Sequence, residues 1–516
     1  MFLNFLLFYS IELIGGLLII IGAVYLYFKY VVYKYWEKQG VHYIEPTFLF
    51  GNSAELLMGK KSIGTLHEKF YEDNKQHGYY GVYGSKQPAL VVSDPDLIRN
   101  VLVKNFSNFQ DRGLPFNEKI DPLSAHMVFL GGLRWKKLRA KLSPSFTSGK
   151  IKQMFNAMYI CVDKLTKHLE SIAKNREIIE IQELCARLTT DVIVSTAFGI
   201  DSNCIDNPDS EFRYWGKKSF KPSLRLLGTL VAPKVMNLFR IPMTDPGVTK
   251  FFTNAFKDTV NYRIKNNIVR RDFMNLLIQL MKQGYVEGDD GKSSHITETI
   301  DGKFTMDEAV AQAYVFFLAG FETTASTISY SLYELSKEYN KHIQDKSAAE
   351  INQVLKNHDG KITYELTQEI TYLDKIINET LRKYPLVPFL TRQCTEAIEL
   401  GDTGLKIPKG MDIIIPVLGL HRDPNIYPDP HKFDPERFNE KNTAERHPCV
   451  YLGFGEGPRI CIGLRFGFLQ VKIALISLLS KYKFSIAPST PDLLDFESFS
   501  LVLISKSGID LLIEPR

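Results

Sequence analysis

The amino-acid sequence predicts a mainly α chain with a smaller β-rich part, on three observations. Apolar residues recur at helical spacing over long stretches, above all from Glu308 to Lys337 and from Leu464 to Tyr482. Strand-like pieces are short and gather in two places: YGVYG and ALVVS between 80 and 93, and YKFSI with the hairpin-like LVLISKSGIDLLIEP near the C-terminus. Over 516 residues, 45% apolar and 12% aromatic content supports a large core, and 23% charged residues is too little for disorder.

The 63 Lys and Arg against 58 Asp and Glu leave a net charge of +5, which does not point to nucleic acid. Cys161, Cys185, Cys204, Cys394, Cys449 and Cys461 stand at no metal-ligand spacing such as CxxC and read as reduced thiols in a reducing compartment. Glycosylation triplets at Asn105 and Asn378 read as chance matches.

The first element is an apolar helix. Residues 1 to 28 contain one charge, Glu12, and a bilayer span needs roughly 20 predominantly apolar residues. Lys29, Lys34 and Lys38 follow, among Tyr25, Tyr27, Tyr30, Tyr33 and Tyr35. That is an interfacial aromatic belt with positive charge on its C-terminal side, so the N-terminus is expected in the lumen and the rest in the cytosol. With no basic n-region and no small-residue cleavage pattern, a retained signal anchor is expected rather than a cleaved peptide. Glu12 leaves room for a shorter, tilted helix that begins after it.

Beyond the strand-like pieces lie FQDRGLPFN, 108 to 116, and GGLRWKKLRAKLSPSFTSGKI, 131 to 151. Trp135 and Arg139 stand four apart and share a helical face, a pattern that an ordinary amphipathic helix also shows. Residues 150 to 280 read as helices broken near 200 to 212 and 241 to 247, and Lys282 to Lys303 reads as an exposed loop.

The longest helical pattern has FFLAGFETTAS at its centre. Gly320 costs about 1 kcal/mol relative to Ala inside a helix. Thr323 and Thr324 can bond back to carbonyls one turn earlier, so the helix is expected to loosen here. Small residues also suit a plain packing contact. KIINETLRKYP then places Glu379 and Arg382 on one helical face. ExxR alone is weak, because Glu456-Gly457-Pro458-Arg459 satisfies it in a stretch that cannot be helix interior. FDPERF, 433 to 438, adds Arg437, and HRDPNIYPDP, 421 to 430, is a proline-rich turn segment.

The whole chain is arranged around FGEGPRICIG, Phe454 to Gly463. Its glycines and Pro458 give a backbone able to press closely on something flat. Its one thiol, Cys461, precedes a helix N-terminus, and Arg459 adds a cation, surroundings that favour a thiolate. A free cysteine is ordinarily a small buried hydrophobe, but the flanking pattern reverses that reading here.

This loop resembles the cysteine-ligand signature of the cytochrome P450 superfamily, in which Phe, two Gly, Arg, Cys and Gly recur at these spacings. Trp135/Arg139, Gly320 to Thr324, Glu379/Arg382, Phe433 to Phe438 and the loop itself occur in the family's order. The phrases ETLRKYP, SPSFTSGK and RFG look most like the microsomal insect family-6 enzymes and their vertebrate drug-metabolising relatives. One departure is Gly453, where relatives carry Pro, with an expected effect on loop rigidity.

The resemblance implies one large, mainly helical haem domain with a smaller β-rich lobe, here 53–516, behind an anchor at 1–33 and a linker at 34–52. It implies haem b (iron protoporphyrin IX) with Cys461 as the iron ligand. Arg112, Trp135, Arg139, Arg392, Phe454 and Arg459 are the further cofactor contacts it implies. An Arg fork and an indole N–H suit an anionic propionate. Glu322 and Thr323 match the family's acid–alcohol pair for proton delivery. Glu379, Arg382 and Arg437 match a structural network behind the cysteine loop.

The implied activity is a haem-thiolate monooxygenase that inserts one atom of O2 into a lipophilic small molecule. NADPH would supply electrons through a separate NADPH–cytochrome P450 reductase, with cytochrome b5 as a second candidate donor, since no flavin or dinucleotide fingerprint occurs in the chain. Lys136, Lys137, Lys141, Arg465 and Lys472 are expected to form a basic docking surface. The expected setting is the endoplasmic reticulum membrane, with the catalytic domain on the cytosolic side, and the expected role is detoxification of xenobiotics such as insecticides and plant toxins. A dedicated hormone or fatty-acid hydroxylase shares every motif. A haem-thiolate isomerase would share Cys461 without needing the Glu322–Thr323 pair, and a non-enzymatic haem sensor would consume no NADPH. Expected pocket walls are 112–130, Tyr314 to Thr324, Val387 to Leu390 and 504–508, whose apolar content implies a lipophilic ligand.

Overall fold

The computed structural model describes residues 2–221, 223–286 and 302–516, so most of the expected loop from Lys282 to Lys303 lies outside the described residues. Helix α1 (Phe2–Tyr30) runs through Glu12 without a break and therefore begins before that charge. Among the described residues, the stretch Glu12–Lys38 is the one helix long and apolar enough to cross a membrane. Leu13 and Ile19 on it are exposed. The tyrosine run divides: Tyr25, Tyr27 and Tyr30 are exposed, whereas Tyr33, expected at an interface, is buried and donates to the Thr47 carbonyl at 3.0 Å.

The segment 34–52 lies along the first sheet. Trp36 Nε1 donates to the Val82 carbonyl at 3.2 Å, and the Ile44 amide donates to the Gly81 carbonyl at 3.0 Å. A Cβ on Gly81 would stand 2.4 Å from the Trp36 ring, so glycine leaves the indole its place. After α2 (Ile63–Asn74), capped by the Ser62 hydroxyl, β1 (Tyr79–Gly84) and β2 (Gln87–Val92) form an antiparallel hairpin with Tyr80 opposite Val91.

Helices then dominate: α3 (Gly132–Leu142), α4 (Ser148–Lys174), the short β3 (Ile178–Glu180) and α5 (Ile181–Ala197). There follow α6 (Glu211–Phe220), α7 (Leu224–Val231), α8 (Pro233–Leu238), α9 (Pro246–Lys265) and α10 (Phe273–Lys282). The central helix is α11 (Met306–Ser336). It opens on a capping box in which the Thr305 hydroxyl accepts from the Glu308 amide and the Glu308 carboxylate accepts from the Thr305 amide. From Phe321 onward it is buried nearly all round, which is the pattern of a core helix. Its buried hydroxyls are satisfied along the helix itself: Ser329 donates to the Ala325 carbonyl and Ser331 to that of Thr327, both at 2.8 Å.

The remaining elements close the molecule. They are α12 (Lys341–Asn357), α13 (Tyr372–Lys383), β4 (Leu390–Gln393), β5 (Ile398–Glu399), β6 (Lys406–Ile407), β7 (Asp412–Ile415), α14 (Val417–His421), α15 (Leu464–Lys481), β8 (Tyr482–Ile486) and β9 (Asp510–Pro515). One sheet has the order β1-β2-β7-β4, with β2 and β7 parallel; a second has the order β3-β9-β8; β5 pairs with β6. A large core surrounds α11, whose main partner is α5, and a smaller one beneath the first sheet includes Tyr33, Trp36 and Val41. The fold is thus mainly helical with a lesser β part, and α15 packs on α4, α11 and α12 so that the loop before it faces inward.

Candidate active site

The loop from 453 to 463 is built on glycine. Gly455 and Gly457 have φ of 77° and 75°, in the left-handed region, and a Cβ on Gly457 would lie 2.0 Å from the Leu102 carbonyl oxygen. Gly453 also has a local reason: a Cβ there would stand 2.8 Å from the Tyr451 hydroxyl and 3.2 Å from Leu381 Cβ. The Tyr451 hydroxyl in turn donates to Asn378 Oδ1 at 2.9 Å, so the glycine makes room for an anchored ring. Pro458 and Arg459 form a single 3-10 turn, not an α-helix. The Cys461 amide donates to the Phe454 carbonyl at 3.0 Å, closing the loop beneath the thiol.

Cys461 is open on one face although protein surrounds it, the situation of a residue that lines an interior space. Burial pushes its thiol above the ordinary range, opposed by the Gly463 backbone and by the charges of Arg139 and Arg112. The free thiol is therefore held protonated, and a metal cation at sulfur is what converts such a group to thiolate.

Besides Arg139, three arginines converge around it. Arg459 donates from Nε to the Gln110 carbonyl and from Nη2 to that of Leu130, and its guanidinium lies 4.1 Å over the Trp135 ring. Arg112 donates to the Val128 carbonyl at 3.2 Å, and Arg392 on β4 donates to that of Thr391 at 2.8 Å. Arg459 Nη1 and Arg392 Nε are buried without an acceptor among the described residues. Burial, then repulsion from neighbouring arginines, pushes Arg392 and Arg459 down to about 9; burial likewise pushes Arg112 down to about 10. A guanidinium keeps its proton in a protein, so this pressure marks a buried positive cluster that Asp111, 3.8 Å from Arg459 Nη2, only partly balances. A flat dicarboxylate over Cys461 would satisfy the orphaned N–H groups and the charge together, and the residues present fit the two propionates of haem.

On α11 the expected loosening does not occur. The helix is continuous through Gly320, whose Cβ would stand 2.6 Å from Ile193 Cδ1, so the glycine serves the close approach of α5. Thr323 donates to the Ala319 carbonyl within the helix. Glu322 and Thr323 adjoin in sequence but turn to different partners. Glu322 is buried near Ser326, Gln182 and Arg213; burial raises its carboxyl and the Arg213 charge opposes that rise. Arg213 forks onto Glu183 at 3.1 and 2.6 Å, and Glu183 lies 3.6 Å from the exposed Lys217. A chain of charge thus leads from the surface to Glu322.

Behind the loop, Arg382 donates to both oxygens of Glu379 at 2.7 and 2.8 Å, with Arg437 Nε 3.5 Å away, so the three residues expected as a network meet. His421 joins this network to the loop: its Nδ1 bonds the Arg382 carbonyl at 3.1 Å and its Nε2 accepts from the Leu452 amide at 2.8 Å. Sequence reasoning passed over His421, Arg213 and Gln312. Gln312 holds the 112–130 loop to α11 through the Met127 amide and the Ala125 carbonyl. The Leu503 amide donates to the Leu386 carbonyl at 2.9 Å, a bond between the residues that directly precede two of the expected pocket walls. The expected docking surface shrinks: Lys141 is buried, donating to the Gly302 carbonyl, and Lys472 is buried against Asp374, which leaves Lys136, Lys137 and Arg465 exposed.

The chain matches the cytochrome P450 family over residues 42–512. It is similar to probable cytochrome P450 6a14 of Drosophila melanogaster, 38% identical with 98% of this chain and 99% of the relative covered. It is also similar to cytochrome P450 6k1 of Blattella germanica, 39% identical with 95% of each covered, and to cytochrome P450 6a2 of Drosophila melanogaster, 39% identical with 96% and 98% covered. With nearly the whole length matched on both sides and a loop built for one inward-facing thiol, the chain belongs to the cytochrome P450 family and is one of its monooxygenases.

Proposed function

We propose that this monooxygenase clears lipophilic foreign compounds at the cytosolic face of the endoplasmic reticulum, with electrons drawn from NADPH through a separate reductase. The observation that carries the reading is the inward-facing Cys461 thiol beside a buried arginine cluster whose charge Asp111 only partly balances. Cys461 would ligate the iron of haem b, Arg112, Trp135, Arg139, Arg392 and Arg459 would hold its propionates, and Phe454 would pack beside it. Bound haem with a thiolate ligand supplies the electron density that favours O–O cleavage.

The chain's own residues deliver the protons and shape the pocket. Thr323 commits its hydroxyl proton to the Ala319 carbonyl, which leaves its oxygen lone pairs to accept from water or a bound ligand. Glu322, its carboxyl raised by burial, gives and takes a proton, and the Arg213–Glu183 pair connects it to the surface. The exposed Lys136, Lys137 and Arg465 are the docking cations for an acidic donor such as the reductase, with cytochrome b5 as the second candidate. α1, with Lys29, Lys34 and Lys38 on its C-terminal side, supports membrane anchoring with the catalytic domain on the cytosolic side.

The test is reconstitution of the full chain with haem, reductase and NADPH against a panel of unrelated lipophilic compounds, with labelled dioxygen. Detoxification predicts label in the products of several of them; turnover of a single compound would instead favour a dedicated hydroxylase. Thr323→Ala is expected to lower product formed per NADPH by about tenfold, and a fully coupled variant would contradict the assigned role.

A further inference from the structure

A buried carboxylate outside the machinery above is met mainly by neutral groups among the described residues. Asp121, in the 112–130 loop, is 3% exposed; its Oδ2 accepts from the Thr244 amide at 2.8 Å, and among the described residues no donor stands in good hydrogen-bond geometry to its Oδ1. Burial raises its carboxyl above the usual range, and the neutral N–H and hydroxyl groups of Thr244, Ser124 and Leu123 oppose that rise. It lines a cavity between this loop and α7 and α8, walled by Phe116, Ile120, Met236 and Met243. The cavity spans about 340 Å³ with its open side, and the centre of a water-sized group can occupy about 20 Å³ of it. That is room for one group the size of a water molecule. Lys119, Lys234 and Arg225, the nearest cations in sequence on these elements, are not among its walls. An unpaired carboxylate in such a place is costly unless a charge meets it.

We infer that this cavity is a subsite for the ammonium head of a lipophilic primary amine, with Asp121 as the group that recognises it. The inference rests on the monooxygenase reading only for where the rest of the ligand lies. Tyr314 of α11 lies within electrostatic reach of Asp121. It precedes Thr323 by nine residues, or about 14 Å of helix. An extended chain of about ten carbons on a nitrogen held at Asp121 would reach along that length of α11 toward Thr323.

The experiment titrates dodecylamine and dodecanol into the haem-loaded full chain, following the Soret band, in wild type and Asp121→Asn. In wild type the amine is expected to bind about tenfold or more tightly than the alcohol, through one charge-assisted contact. Its spectrum is expected to be that of a ligand whose nitrogen is not on the iron. In Asp121→Asn the two probes are expected to agree within about twofold, and the amine spectrum to change to that of nitrogen on iron. Equal binding of the two probes to wild type overturns the subsite and leaves the monooxygenase reading standing, as does a nitrogen-on-iron spectrum that the substitution does not alter. Failure of both probes to perturb wild type overturns the subsite and counts against the lipophilic pocket as well. Should Asp121→Asn not retain haem, the amine–alcohol comparison in wild type decides the matter alone.

Discussion

Glu379→Gln separates a structural from a catalytic role for the network behind the cysteine loop. Glu379 and Arg382 are both fully buried, and Glu379 also accepts from the Asp434 amide at 2.9 Å while Arg437 stands 3.5 Å away. Glutamine keeps the shape, removes the one negative charge and turns an amide NH2 toward a guanidinium. Removing one partner of a buried pair costs about 3–5 kcal/mol. Arg382 keeps the carbonyls of His421 and Pro430, both at 2.8 Å, which places the loss near the lower end, about 3 kcal/mol. Against a total stability of about 5–15 kcal/mol, that is a fifth or more. The assay is denaturant unfolding of the haem-loaded chain, followed by backbone and haem signals, together with turnover per bound haem. The expected result is a loss of about 3 kcal/mol and lower haem content, with turnover per haem little changed. A collapse of turnover per haem at unchanged stability would refute the structural assignment, and a loss below about 1 kcal/mol would show that the pair is not the support.

Three other predictions turn on whether a side chain is buried or exposed. Burial, with the Arg382 charge, pushes the His421 imidazole down to about 3 from an ordinary 6.5. Because the folded value is the lower one, unfolding takes up a proton between those two values, and stability is full above 6.5 and falls with acid by about 1.4 kcal/mol per pH unit inside the window. Proton uptake on unfolding near about pH 5, read from the pH dependence of thermal unfolding, is expected to fall by about one in His421→Asn; an unchanged slope would contradict the assignment. Lys137→Glu, on the exposed face, is expected to slow reduction by the reductase at low salt, with the difference fading as ionic strength rises. Lys141→Met should lower stability with no such salt signature, because that side chain is buried under Phe304. Stopped-flow reduction across ionic strength checks both, and a salt-independent rate for Lys137→Glu would sink the docking face.

The parts that were legible in the sequence are those whose chemistry is local. The loop around Cys461 could be read because positive-φ glycines and an imposed proline leave few alternatives, and Gly455 and Gly457 take those conformations. The helix from 306 to 336 announced itself through a long apolar period from Glu308 to Lys337. What stayed hidden depends on partners far along the chain. Lys141 and Lys472 look like surface lysines until the Gly302 carbonyl and Asp374 are brought to them. Gly320 looks like a helix defect until Ile193 of α5 arrives beside it. Tyr33 looks like a membrane-interface residue until the Thr47 carbonyl folds back over its hydroxyl. Helical periodicity ranks the faces of one element; it does not say which face meets which neighbour, and Glu322, turned to Arg213 and away from the Thr323 hydroxyl's partner, shows the cost of that silence.

The measurement that tests the central claim most directly is the difference spectrum of the reduced, carbon-monoxide-bound full chain, wild type against Cys461→Ser. The account predicts a red-shifted Soret band in wild type that disappears in the variant, because only the thiolate of Cys461 donates to the iron through the buried loop. A wild-type spectrum like that of imidazole-ligated haem, or a red-shifted band that survives the substitution, would contradict it.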